Sequence, residues 1–175
     1  MKEKLMYRIG HSNDTHRLVK GSEIILGGVH IPFDMKLDGH SDADVVYHAV
    51  SEAIIGALAL GDLGSHFPDN DMQYKGMDSS YFVRKAYEMM DNQGYEINNI
   101  DILIYLEKPI LVNYKPQMKE NIANLLKTDV NNVNVKATRG EGLGFIGEMK
   151  GISCEAVCML KLKSRQRLWN YLKKY

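Results

Sequence analysis

The chain has 175 residues, 45% of them hydrophobic, enough for one domain with a real core, and no Pro-, Gly- or Ser-rich linker divides it. Its 22 basic side chains balance 22 acidic ones, so overall charge gives no reason to expect nucleic acid as a partner. No run approaches the ~20 apolar residues of a membrane span, and Met1 to Tyr7 is too short and charged for a targeting peptide, so the expected compartment is the cytoplasm.

From Tyr7 the chain reads as a strand in which Asp14 and His16 stand two apart. Residues i and i+2 of a strand share a side, so a carboxylate and an imidazole are presented together at a metal-ligand spacing. On its own the pair is a weak signal and is better read as solvent-exposed, as such pairs in turns commonly are. Glu23–Leu26 and Val29–Pro32, joined by Gly27-Gly28, read as a hairpin with His30 on its surface. The run from Gly39 to His48 opens a helix. Ser41 and Asp44 have the form of a capping box, placing the start near Asp42. Val46, Ala49, Val50, Ala53, Ile54, Ala57 and Leu58 then form a buried stripe that runs until Gly61. His48 falls in the second turn, and His40 lies just before the cap, where helix amides favour an anion.

Asp62 to Asp71 reads as a polar loop. A second helix is expected over 79–92, with Phe82, Val83, Ala86 and Met90 buried and Gly94 as its stop. Ile100–Leu106 is a strand, and Pro116 suits the first turn of a third helix carrying Met118, Ile122, Leu125 and Leu126. Val133–Ala137 is a strand running into Thr138 to Gly147, where glycines crowd into a loop that forms either an anion-binding nest or an unliganded turn. Ile152–Lys163 is the last strand. Its Cys154 and Cys158, four apart, match neither Cys-x-x-Cys nor a zinc ribbon and read as buried free thiols. The fold class is α/β of the α+β type, a single domain over 1–175 with a mixed sheet covered by helices on one face.

Arg-Ile-Gly-His-x-x-Asp-x-His at 8–16, Leu-Gly-Gly-Val-x-Ile-Pro at 26–32 and Gly-His-Ser-Asp-Ala-Asp-Val-x-x-His at 39–48 occur in order. They are followed by Leu-Gly-Asp-Leu-Gly-x-His-Phe-Pro-Asp at 60–69 and Val-Asn-Val-Lys-Ala-Thr with Glu141 and Gly-Phe at 144–145. Together, over about 7–162, these motifs resemble the 2-C-methyl-D-erythritol 2,4-cyclodiphosphate synthase family. The resemblance implies an enzyme of non-mevalonate isoprenoid biosynthesis that converts 4-diphosphocytidyl-2-C-methyl-D-erythritol 2-phosphate into the cyclic 2,4-diphosphate and releases CMP. It also implies a homotrimer with active sites between subunits.

Carried over by position, the resemblance makes Asp14, His16 and His48 zinc ligands, with a fourth position left open to substrate. Glu141 would steady magnesium or manganese on the diphosphate. His40 and Ser41 match substrate-phosphate contacts, and Asp62, Leu63 and Gly64 match contacts to the erythritol portion. Phe67, Pro68, Asp69, Asn70 and Asp71 match a substrate loop. Leu106 to Val112, including Pro109 and Leu111, would line the cytidine pocket with Ala137 and Thr138, and Phe145 completes the substrate contacts. His40, Arg139 and Glu141 would carry catalysis.

The chain departs from the family pattern where Arg139 and Gly140 follow Thr138 in place of further threonines, and at Ile110 and Glu148, which replace a lysine and an arginine. A guanidinium at 139 suits phosphate and could replace the missing hydroxyl. Glu148 and Lys150, two apart and read as one strand face, would ring the trimer axis and repel a diphosphate there. Two other readings fit the same ligands: a non-catalytic trimeric relative that keeps the metal as a clamp, and a generic metal-dependent phosphohydrolase or oxygenase. The basic tail 163–175 is expected to present Leu168, Trp169, Tyr171 and Leu172 on one face of a short docking helix.

Overall fold

Alternation in the first strand sets the architecture. In the computed structural model, which describes residues 4–68 and 71–164, β1 (Tyr7–Lys20) turns Gly10, Ser12, Asp14, His16 and Leu18 inward, while Tyr7 and Ile9 face out. Asp69, Asn70 and the expected tail helix lie outside the described residues. β1 pairs antiparallel with β7 (Gly151–Leu162) and, near its far end, with β4 (Met35–Leu37). β7 pairs antiparallel with β5 (Tyr95–Tyr105), and β5 runs parallel to β6 (Val133–Thr138). The order β4-β1-β7-β5-β6 is therefore mixed, as expected.

Helix α1 (Val45–Ala57) lies on the inward face of β1 and β7. Gly10 allows this close approach, since a Cβ there would stand 1.8 Å from the Ala53 carbonyl oxygen. Ser12 Oγ donates to the Ala49 carbonyl at 2.6 Å. α3 (Ser80–Asn92) and α4 (Lys115–Leu125) complete the helical layer, burying Phe82, Val83, Ala86 and Met90 from the first and Met118 and Ile122 from the second. Cys154 and Cys158 point into this core as free thiols. No described helix is long and apolar enough to cross a membrane.

β2 (Glu23–Leu26) and β3 (Val29–Pro32) form the expected hairpin as a separate sheet, with Gly27 and Gly28 at φ 57° and 70°. Its turn is fastened to α1. Asp44, fully buried, accepts from Gly27 N at 2.9 Å and Gly28 N at 2.7 Å, and also from Val46 N and Tyr47 N. Burial pushes its carboxyl up to about 6 while those backbone amides pull it down.

Several sequence readings are corrected. The Ser41 capping box does not form: Asp44 is the cap, Ser41 Oγ accepts from Ala43 N, and the left-handed Ala43 (φ 60°) keeps residues 41–43 out of the helix. The helix also ends earlier, at Ala57, because Ala59 turns left-handed before Gly61 is reached. The 62–71 loop contains helix α2 (Leu63–His66), capped by Asp62, and Asp71 caps a 3₁₀ turn at Met72–Tyr74. β5 begins at Tyr95, well before Ile100. The glycine loop folds in part into helix α5 (Gly144–Gly147). Glu148 and Lys150 are not on a strand. They flank a left-handed Met149 between α5 and β7 and pair with each other.

Candidate metal centre and cleft

Strand alternation brings Asp14 and His16 to the inner face of β1, and the first turn of α1 lowers His48 onto them. Asp14 Oδ2 lies 3.0 Å from His16 Nε2 and 3.2 Å from His48 Nδ1, and the two imidazole nitrogens are 3.0 Å apart. This is the one group of three or more His, Cys, Asp or Glu side chains among the described residues that could hold a metal ion. Burial opposes charge on Asp14, yet His16 and His48 hold its carboxyl well below the usual carboxylate range. Burial likewise works against protonation of His16, but Asp14 outweighs it and raises the imidazole.

The donor set fits a metal. A tetrahedral ion bonded at 2.0–2.1 Å needs ligand atoms about 3.3 Å apart, close to the triangle found here. His16 is held ready by its other nitrogen: Nδ1 is 2.9 Å from the Asp38 carbonyl, which can only accept, so Nδ1 carries a proton and Nε2 is the nitrogen turned to the triad.

The triangle opens into a cleft of about 480 Å³ that gathers His40, Ser41, Leu63, Gly64, Phe67 and Pro68 with the triad. His40 Nε2 is engaged at 3.2 Å by the Asp71 carbonyl. Ser41 Oγ sits 3.1 Å from His48 Nε2, so it contacts the triad as well as the cleft. Asp62 is exposed and accepts from Ser65 N, serving α2 as its cap. Glu52, Tyr74 and Phe82 also line the cleft and were missed from the sequence. Glu52 carried a signal, one helical turn after His48 on the same face. Phe82 was read as core, and its ring does stand edge-on to His48 at 5.6 Å.

The remaining predicted residues collect elsewhere. Leu106 N donates to the Thr138 carbonyl at 3.0 Å, tying the start of the 106–112 segment, with its cis Lys108–Pro109 bond, to the end of β6. Leu106 and Leu111 are buried, while Ile110 and Val112 are exposed. The Glu107 carboxylate receives Arg139 Nη2 at 2.7 Å and Gly140 N at 3.1 Å. Arg139 lowers Glu107 and is itself raised by it. Pro109, Ala137, Thr138, Arg139 and Glu141 do not line the cleft of the same chain. Phe145 lines a second cavity with Met35 and Met149, which shares His16 with the cleft.

Comparison with known proteins gives the same pattern of likeness along the chain. The YgbB family matches residues 7–161. The 2-C-methyl-D-erythritol 2,4-cyclodiphosphate synthase of Finegoldia magna is 53% identical over 156 residues, 89% of this chain and 98% of that protein. The synthase of the same name from Clostridioides difficile is 48% identical over 158 residues, covering 90% of this chain and 98% of that protein. Among solved structures, the bifunctional IspDF of Campylobacter jejuni superimposes with a TM-score of 0.86 at 38% identity, over 89% of this chain and 42% of that longer one. The Plasmodium falciparum IspF CDP complex gives 0.79 at 34% identity, over 90% of this chain and 97% of that one.

Proposed function

The chain belongs to the YgbB family, and from that premise we propose that it is a 2-C-methyl-D-erythritol 2,4-cyclodiphosphate synthase, a lyase that cyclises 4-diphosphocytidyl-2-C-methyl-D-erythritol 2-phosphate and releases CMP. The observation that carries this reading is the convergence of Asp14, His16 and His48 at the floor of an open cleft, in a chain about half identical to synthases of that name. An oxygen of the 2-phosphate attacks the β-phosphorus, the bond from that phosphorus to the bridging oxygen breaks, and CMP departs with the oxygen. Reactant and leaving group are both anionic, so alignment and charge neutralisation dominate the barrier.

Asp14, His16 and His48 would hold zinc, the ion suited to two imidazoles and a carboxylate, and Glu141 would hold magnesium or manganese. When bound, such ions offset the phosphate charge and align the reacting oxygens. His40 and Ser41 face the phosphates from the cleft wall, and Leu63, Gly64, Phe67 and Pro68 exclude water around the erythritol portion. Asp62, Asp69, Asn70 and Asp71 belong to the same substrate-contacting segment. Pro109, Leu111, Val112, Ala137 and Thr138 would receive the cytidine, with Arg139 beside the phosphates and Phe145 completing the contacts. Since these residues do not line the cleft of their own chain, the active site is assigned between subunits of a homotrimer. We place the protein in the cytoplasm.

Incubation of the purified protein with the cytidyl substrate, followed by phosphorus NMR, tests the assignment. Equimolar CMP and cyclic diphosphate are expected. Inorganic phosphate in place of CMP would indicate a phosphohydrolase, and no turnover with metal bound would indicate a non-catalytic relative.

A further inference from the structure

Beside His48, the segment before α1 is stitched to the segment before α3. Asp42 N donates to the Met77 carbonyl at 3.0 Å and Gly76 N to the His40 carbonyl at 2.8 Å. At the centre of this seam stands Ser79, fully buried. Ser79 occupies the N-cap position of α3 but makes no side-chain cap bond, the contact a serine there ordinarily supplies. Its hydroxyl is used elsewhere. Ser79 Oγ donates to Asp42 Oδ1, Ser79 N donates to Asp42 Oδ2 at 3.1 Å, and His48 Nε2 lies 3.0 Å from Ser79 Oγ.

Ser41 Oγ stands 3.1 Å from both His48 Nε2 and Ser79 Oγ, and the metal reading of the triad, which needs a bare Nδ1, selects the arrangement in which Ser41 donates to Ser79. An ionised carboxylate only accepts, so Asp42 takes the single hydroxyl proton of Ser79. Ser79 Oγ is then left with lone pairs towards His48, and in this arrangement His48 Nε2 is the donor. The imidazole proton is on Nε2, and the bare nitrogen is Nδ1, the atom that faces Asp14 Oδ2 and His16 Nε2. His16 presents Nε2 because the Asp38 carbonyl holds its Nδ1 proton; His48 presents Nδ1 because Asp42 and Ser79 hold its Nε2 proton.

We infer that Asp42 and Ser79 are positioning residues, a carboxylate–hydroxyl relay that fixes His48 as its Nε2–H tautomer and makes Nδ1 a metal-binding atom. The inference rests on the reading of Asp14, His16 and His48 as a metal centre. Neither Asp42 nor Ser79 lines the cleft; both act through His48.

Two measurements on the full chain test it. In metal-free protein carrying ¹⁵N-labelled histidine, the His48 nitrogen shifts should show the proton on Nε2, and Ser79→Ala should mix the tautomers. Zinc affinity, measured by competition with a chromogenic chelator, should fall 10- to 100-fold in Ser79→Ala and recover to within about threefold in Ser79→Thr, which keeps the hydroxyl. Asp42→Asn should show the same direction of loss, which keeps the test open if Ser79→Ala does not fold. A wild-type His48 protonated on Nδ1 overturns the inference, as does a Ser79→Ala protein with an unchanged tautomer population. Failure of the wild-type chain to bind zinc would instead overturn the metal reading and leave the tautomer measurement to decide on Asp42 and Ser79.

Discussion

Asp14 and Ala137 stand in one row across the sheet: Asp14 pairs with Cys154, Cys154 with Ile104, and Ile104 with Ala137. Cross-strand partners share a face, so both lie on the helical side, separated by three strand spacings, about 14 Å. The acidic end of the row floors the cleft, and the other end begins the segment that holds Arg139 and Glu141. On the proposed reading, a substrate gripped by both groups of residues meets them on two copies of the chain.

Mixed assemblies test that sharing. His48→Ala and Ala137→Trp chains should each be inactive alone, one lacking a ligand and the other blocked at the strand end. If every site takes one wall from each of two subunits, equal co-expression leaves about one quarter of sites with both walls intact, so activity should rise from near zero to about one quarter of wild type. No recovery in verified mixed oligomers would place the whole site within one chain.

Metal content and stability should move together. We expect about one zinc per chain by elemental analysis, and none retained by His48→Ala, whose core remains packed. Zinc at a thousandfold excess over its Kd should stabilise the native state by about 4 kcal/mol. For a chain of this size that raises Tm by roughly 10 °C, a shift that calorimetry with and without chelator would register. An unchanged Tm would count against the centre.

Arg139 is 61% exposed, while the Glu107 side chain it grips is only 10% exposed and also accepts from Gly140 N. The pair therefore braces the glycine loop that carries Glu141. Arg139→Ala and Glu107→Gln should each lower kcat/KM about tenfold, and the double variant should be little worse than either. Additive losses would mean that Arg139 acts on phosphate independently of Glu107.

The two thiols make stability fall at alkaline pH. Burial pushes Cys158 up to about 12 and Cys154 higher than its ordinary value too. In the unfolded chain a thiol ionises near 8.5, so the native state keeps this contribution in full below that value and loses it as pH rises towards the native one. Each buried thiol should cost about 1.4 kcal/mol per pH unit above 9. Cys158→Ala should remove one such increment from the slope in denaturant melts between pH 9 and 11. An unaltered slope would show that Cys158 ionises as freely folded as unfolded.

Much of this molecule was legible from local pattern. A period of two placed Asp14 with His16 on one strand face, and Gly27-Gly28 marked the hairpin turn at its observed bounds. The apolar stripe marked the buried face of α1, and Cys154 and Cys158 were read as buried free thiols. These features depend on neighbours a few residues apart, and side-chain periodicity encodes such neighbours directly. The misread helix start shows where that information ends. Ser41 and Asp44 form a good capping pair in sequence, but Asp44 takes amides from a hairpin turn 16 and 17 residues earlier, and Ser41 and Asp42 are turned towards His48 and Ser79. Only the tertiary structure decided that His48 meets β1 across 32 residues, that Ser79 leaves its own helix uncapped to serve Asp42, and that β7 separates β1 from β5. Such contacts are hydrogen bonds between distant segments, selected by which partner satisfies a buried polar group once the chain has closed, and residue spacing along the sequence does not specify that partner.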